Sequence, residues 1–135
     1  MATRTKTQGL SKTLDNKYSN TFRLADKAYA LDNYVRSQIA NNIPNMHRDI
    51  RIHLLEEMYK IAQEIYAASF TVGNVRRKHL TELKIHLTLA DMLLRQVYDL
   101  HCVKSAKLEH VAALLLEMKT ITYGWAHREE TAKKS

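Results

Sequence analysis

The fold of this chain is decided by residues 76–125, RRKHLTELKIHLTLADMLLRQVYDLHCVKSAKLEHVAALLLEMKTITYGW. Apolar residues recur in this stretch at steps of three and four, which is the spacing of an amphipathic helix. A short break before Ser105 separates two such segments, and Trp125 closes the second. The stretch is too apolar for one isolated helical hairpin, so it predicts two long helices inside a larger helical core.

The two predicted helices of this half have continuous apolar seams. The third helix of the chain is expected from Val75, after Asn74 as a candidate N-cap, to about His101, and the fourth is expected to be capped by Ser105. The seam positions are Leu80, Leu83, Leu87, Ala90, Leu94 and Val97 in the third helix, and Leu108, Val111, Leu115, Met118, Thr122 and Trp125 in the fourth.

Two further helices are predicted upstream. The first runs from Thr21 to about Asn41 and is stopped before Pro44, because the residue before a proline resists helical angles. Asn45 is a plausible N-cap for the second, which runs to about Phe70. The seam positions are Leu24, Ala28, Leu31, Val35 and Ile39 in the first helix, and Ile50, Leu54, Met58, Ile61, Ile65 and Ala68 in the second.

These helices predict an all-α protein. Short connections between long helices favour antiparallel neighbours, so residues 18–127 are expected to form an up-down-up-down four-helix bundle. Residues 1–17 are expected to be a flexible basic arm and residues 128–135 a flexible C-terminal tail. The third helix carries further apolar residues off its seam, which predicts a homo-oligomer that covers its second side. These residues are Ile85, Leu89, Met92, Leu93 and Leu100.

Composition narrows the cellular setting. The single cysteine, Cys102, cannot form an intramolecular disulfide or a cysteine zinc site, which fits a reducing cytoplasm. No apolar run approaches the roughly 18 residues that a membrane span needs, and the N-terminus lacks the apolar core of a secretory signal. A cytoplasmic protein without a membrane partner is expected.

Positive charge is concentrated at one end of the expected bundle. The net charge is +7. The end of the bundle that holds both termini and the loop between the second and third helices collects 13 of the 21 basic residues but six of the 14 acidic ones. Such a basic pole suits phosphate contacts, although charged tails are as often merely solvated. The candidate nucleic-acid-binding residues are Arg23, Lys27, Arg76, Arg77, Lys78, Lys84 and Arg128.

The cluster Arg76, Arg77 and Lys78 is the part of this pole most indicative of function. It lies in the first turn of a helix, where cations oppose the macrodipole, so contact with nucleic acid or an acidic partner is favoured there. Arg95 is interpreted differently, because Asp91 and Asp99 at i,i+4 spacing are expected to pair with it. Lys60 has the same interpretation on the second helix, with Glu56 and Glu64 as its expected partners.

No catalytic chemistry is indicated. His79, Glu82 and His86 share a helix face, but neither HExxH nor the paired Glu-x-x-His of di-iron bundles occurs. Cys102 stands beside His101 without an orienting third group, and GxSxG, P-loop and GxGxxG motifs are absent. Catalytic residues, metal ligands and cofactors are therefore not predicted, and the chain is not expected to be an enzyme.

Several short motifs occur in order along about 80 residues of the chain. They are Ile43 and Pro44, Ala67 and Ala68, Arg77 with Leu80 and Leu83, Leu93, Leu94, Arg95 and Tyr98, and Tyr123, Gly124 and Trp125. By their order and spacing together, this segment resembles a known family of four-helix bundles. The family includes proteins encoded in ribosomal-RNA intervening sequences and the accessory variability determinant proteins of diversity-generating retroelements, and it usually has Gly-Gly-Trp at the last motif.

For the retroelement branch, the resemblance implies a basic, barrel-shaped homopentamer that associates with a reverse transcriptase and binds RNA or DNA. Such a protein supports mutagenic copying of a template RNA into cDNA, which diversifies a target gene, and performs no chemistry itself. The charge and the apolar excess of the third helix favour this branch. The alternatives are an intervening-sequence-type bundle of unknown role and, from another class, a metal-dependent bundle enzyme.

Overall fold

The computed structural model describes the backbone of residues 21–134 and the side chains of residues 21–131; the arm expected over residues 1–17 lies outside this range. Over the described residues the chain forms four helices and no strand, as the sequence predicts. Helix α1 covers residues 21–34, and the other three are α2 (Arg48–Ser69), α3 (Gly73–Asp99) and α4 (Ser105–Lys134). α3 packs extensively against both α2 and α4.

The core is built from the predicted seams. Every seam residue of the four helices is buried except Ile50, which is partly buried against the same cluster. Fully burying a leucine or isoleucine side chain contributes about 1.5–3 kcal/mol relative to leaving it exposed. Thr122 is the one polar seam residue, and its hydroxyl donates to the carbonyl oxygen of Met118 at 2.7 Å, so its polar group is satisfied.

α1 does not end as a regular α-helix. It widens into a π-helical turn at Val35–Ile39 and tightens into a 3-10 turn at Ala40–Asn42. The sequence explains the wide turn, because Leu31, Val35, Ile39 and Ile43 are spaced by four and all are buried. Successive steps of four drift around an α-helix of 3.6 residues per turn, whereas a wider turn keeps these side chains on the core side.

The helix starts differ from the predicted caps. A 3-10 turn, Asn45–His47, precedes α2, and no side-chain hydrogen bond caps either α2 or α3. Asn74 lies inside α3, which begins at Gly73 with a φ of 61°. Only glycine adopts this left-handed conformation without steric cost, so Gly73 allows the chain to turn sharply into α3.

The end of the chain also departs from expectation. α4 continues as a helix to Lys134, through residues predicted to be a flexible tail from residue 128. Glu129 gives a physical reason, because its carboxylate accepts a hydrogen bond from Arg76 of α3 at 2.8 Å and joins the last part of α4 to the bundle. This ion pair lies four residues beyond the last predicted seam position, Trp125.

Candidate nucleic-acid interface

The seven predicted contact residues lie on three helices. Arg23 and Lys27 are on α1 and line a groove that α1 forms with α4. Lys27 pairs with Glu117 of α4. The hydrogen bond and the charge of Lys27 lower the pKa of the exposed Glu117 carboxyl. Lys27 is thus partly neutralised, and Arg23, which is exposed, is the more available cation of this groove.

Arg76 has an internal structural role. Its Nε donates to the carbonyl oxygen of Ala68 at 2.9 Å and its Nη1 to Glu129 Oε1 at 2.8 Å. The guanidinium also lies over the ring of the buried Trp125, with Cζ 5.6 Å from the ring centroid. One side chain therefore joins the end of α2, the start of α3 and the last part of α4.

These contacts change the interpretation of Arg76. Its position at the start of α3 is unfavourable for a cation. From the sequence alone, this position predicts contact with an external partner. In the structure its guanidinium reaches back to the C-terminal carbonyls of α2, where a cation is favourable. The unfavourable placement in α3 is thus offset within the protein.

The other cations of α3 face outward. Lys78 is exposed, Arg77 is partly exposed and contacts the side chain of Asn74, and Lys84 lies with its Nζ 5.4 Å from the ring centroid of Tyr123 on α4. Within the described residues, none of these three cations forms an ion pair with a carboxylate, and neither does Arg23. Arg128, the seventh predicted residue, is exposed near the end of α4.

Tyr123, which departs from the Gly-Gly-Trp pattern of the resembled family, is a surface residue. Its side chain is 51% exposed, whereas Trp125 two positions later is 6% exposed. Two residues span about 200° around a helix, so a buried Trp125 on the seam places Tyr123 on the outer side. The exposure of Tyr123 therefore follows from the predicted seam of the fourth helix.

Histidines and glutamates form cross-links between α2 and α3. Glu64 contacts His79 at 2.6 Å, and Glu57 contacts His86 at 2.7 Å, both through Nδ1. Glu57 is buried, with 7% of its surface exposed. The sequence predicts no partners for these histidines, because the register between two helices is not visible in the pattern of one helix.

The intrahelical pairs that spacing predicts for Arg95 and Lys60 are absent from the described part of the chain. Arg95 is exposed and forms no ion pair with Asp91 or Asp99, because Asp91 instead accepts from Lys119 of α4 at 3.2 Å. Glu64 similarly contacts His79 and not Lys60. An interhelical partner has replaced the i,i+4 partner in both cases.

A metal site and a membrane-spanning helix are both absent from the described residues, 21–134. No three His, Cys, Asp or Glu side chains in this range form a group that could hold a metal ion. None of the described helices is long and apolar enough to cross a membrane.

Comparison with known proteins found no relatives. No protein-family model, curated protein or solved structure matches the chain.

Proposed function

We propose that this chain is a non-catalytic accessory protein that binds nucleic acid together with the reverse transcriptase of a diversity-generating retroelement. The outward cations of α3 carry the nucleic-acid part of this proposal. Arg77 and Lys78 lie on one turn and Lys84 about two turns later, and none of the three has a carboxylate partner among the described side chains. The retroelement setting and a cytoplasmic location rest on the resemblance of the motifs and on composition.

The helical arrangement supports the family-like architecture. Glu64 meets His79 and Glu57 meets His86, so positions advance along α3 as they recede along α2. The Lys27–Glu117 and Tyr34–His110 contacts between α1 and α4 follow the same opposite progression. We infer from these pairs that neighbouring helices run antiparallel, in the up-down-up-down order of a four-helix bundle.

An oligomer, a homopentamer by the resemblance, is supported by apolar side chains left on the outer face of α3. Ile85 and Met92 are 46% and 47% exposed and lie two turns apart on the same face. Leu89 lies between them and is partly exposed. Aspartate in place of both Ile85 and Met92 should therefore yield monomers in light scattering, whereas an unchanged mass would exclude this face as the interface.

The nucleic-acid proposal is tested by the salt dependence of binding. Each phosphate contact contributes a slope of about one to the plot of log affinity against log salt. The double variant Arg77→Ala/Lys78→Ala should lower that slope by about two relative to the unaltered protein. Arg95→Ala is the control, because Arg95 is exposed and forms no ion pair among the described residues but lies toward the opposite end of α3.

The outcomes separate the parts of the proposal. Absence of binding to RNA, DNA and their hybrid would overturn nucleic-acid recognition. An equal loss of slope in the Arg95→Ala control would show that the cations of α3 contribute without regard to position. Failure to co-purify with a reverse transcriptase encoded next to this chain would remove the retroelement role and favour the intervening-sequence type of bundle.

A further inference from the structure

Tyr123 and Lys84 form an exposed pair on the surface shared by α3 and α4. The Lys84 Nζ lies 5.4 Å from the Tyr123 ring centroid, within the range of a cation–π contact. Tyr123 is 51% exposed and forms no hydrogen bond through its hydroxyl within the described residues. A large aromatic ring is thus held at the surface by a cation.

The surroundings of this pair are basic and open. Arg77 lies seven residues before Lys84, which places it on the same face of α3 two turns away. His127 lies one turn beyond Tyr123 on α4 and is exposed. Glu130 of α4 is an exposed acid, and within the described residues it forms no ion pair with either cation. Asp91, seven residues after Lys84 on the same face, pairs with Lys119. Lys84, which contacts the ring, and Arg77 are therefore two cations on one face of α3 that are able to contact phosphates.

Helix packing does not explain why a tyrosine occupies this position. The Tyr123 ring is exposed and projects away from the buried seam of Thr122 and Trp125, so core packing does not require it. Gly124 needs no small residue either: an added Cβ there would meet only the end of the Arg128 side chain, at 3.5 Å.

We propose that Tyr123 stacks on an unpaired base of single-stranded RNA or DNA, while Lys84 and Arg77 contact the flanking phosphates. This inference rests on the proposed nucleic-acid binding and assigns it a stacking residue. An exposed aromatic ring combined with backbone-neutralising cations is the arrangement by which proteins bind single strands without reading sequence. A duplex keeps its bases stacked inside and offers no free base face to such a ring.

An acidic protein segment is a weaker candidate for this surface. Carboxylates would pair with Lys84 and Arg77 but would leave the ring face unused, whereas every nucleobase has a π-face that fits it. The exposed Tyr98, near the other end of α3, has mixed surroundings, since the carboxylates of Asp91 and Glu109 line the groove beside it together with Arg95. Tyr98 therefore provides a matched control with 55% exposure.

The test is fluorescence anisotropy with labelled oligo(U) and oligo(dT) of about 15 nucleotides and with a blunt duplex of the same length. Tyr123→Ala should weaken single-strand binding about tenfold, since one stacked base contributes about 1–3 kcal/mol. Its salt slope and its duplex binding should be unchanged, and Tyr123→Phe should retain full affinity. Lys84→Ala should instead flatten the salt slope.

Each alternative outcome has a defined meaning. Unchanged single-strand affinity in Tyr123→Ala, or an equal loss in Tyr98→Ala, would overturn stacking while leaving the basic surface intact. An equal loss for single strands and duplex would also overturn it. Preference of the protein for polyglutamate over both oligonucleotides would identify an acidic protein as the partner. If the unaltered protein binds no nucleic acid, the proposed function fails together with this inference.

Discussion

Arg76 and Arg77 are adjacent in sequence but differ in their surroundings. Arg76 is enclosed by the ends of three helices and donates to a backbone carbonyl and to Glu129. Arg77 is partly exposed, and its side chain donates to Asn74 and to no other residue of the described part of the chain. The difference shows that a run of basic residues at a helix start is not one functional unit. The rotation of the helix decides which cation stabilises the fold and which one faces a partner.

The largest expected effect tests this difference directly. Arg76→Ala should reduce the free energy of unfolding by about 2 kcal/mol or more, because it leaves a partly buried Glu129 carboxylate and two α2 carbonyls without their donor. Arg77→Ala should change it by less than about 0.5 kcal/mol. Urea unfolding followed by circular dichroism measures both. Equal losses in the two variants would contradict the division between them.

A smaller effect is expected when a buried pair that joins α2 to α3 is compared with an exposed pair within α2. A double-mutant cycle on Glu57 and His86, with side chains 9% and 15% exposed, should give a coupling energy of about 1 kcal/mol. The matched pair His53 and Glu56, at 62% and 53% exposure, should give a few tenths of a kcal/mol. Similar coupling in both cycles would show that burial does not distinguish these pairs.

The smallest effect concerns the α1–α4 groove. Lys27→Ala should raise the pKa of Glu117 toward its usual value, since Lys27 is the cause of its lowering. A pKa lowered in the folded state stabilises the protein above the unfolded-state pKa, and this contribution is lost as pH falls through the folded-state pKa. Exposure of Glu117 keeps the contribution small. NMR titration measures the shift, with Lys107→Ala as control; an unmoved Glu117 pKa in Lys27→Ala would exclude the pairing.

The helices and their core were predictable because both follow from local periodicity. The steps of three and four that place Leu80, Leu83 and Leu87 on one face depend only on the geometry of a single helix. The same geometry predicts that Trp125 is buried, and it implies that Tyr123, two residues earlier, is exposed. These features need no knowledge of the neighbouring helices.

Pairings between helices were not predictable from the same pattern. Asp91 was assigned to Arg95 by spacing, yet it pairs with Lys119, because exposed intrahelical pairs contribute only a few tenths of a kcal/mol and an interhelical partner competes with them. Register and rotation of two helices decide such contacts. The contacts of Arg76 are likewise not predictable from the pattern of one helix, since its partners come from α2 and α4.

The π-helical turn at Val35–Ile39 affects how α1 tolerates a change in its length. A turn of this kind holds one residue more than an α-helical turn, so it accommodates an insertion without moving the residues on either side. Removal of one exposed residue such as Ser37 would change the steps at this point from four and four to four and three, which suits a regular α-helix. α1 can therefore change in length by one residue while its core contacts are preserved.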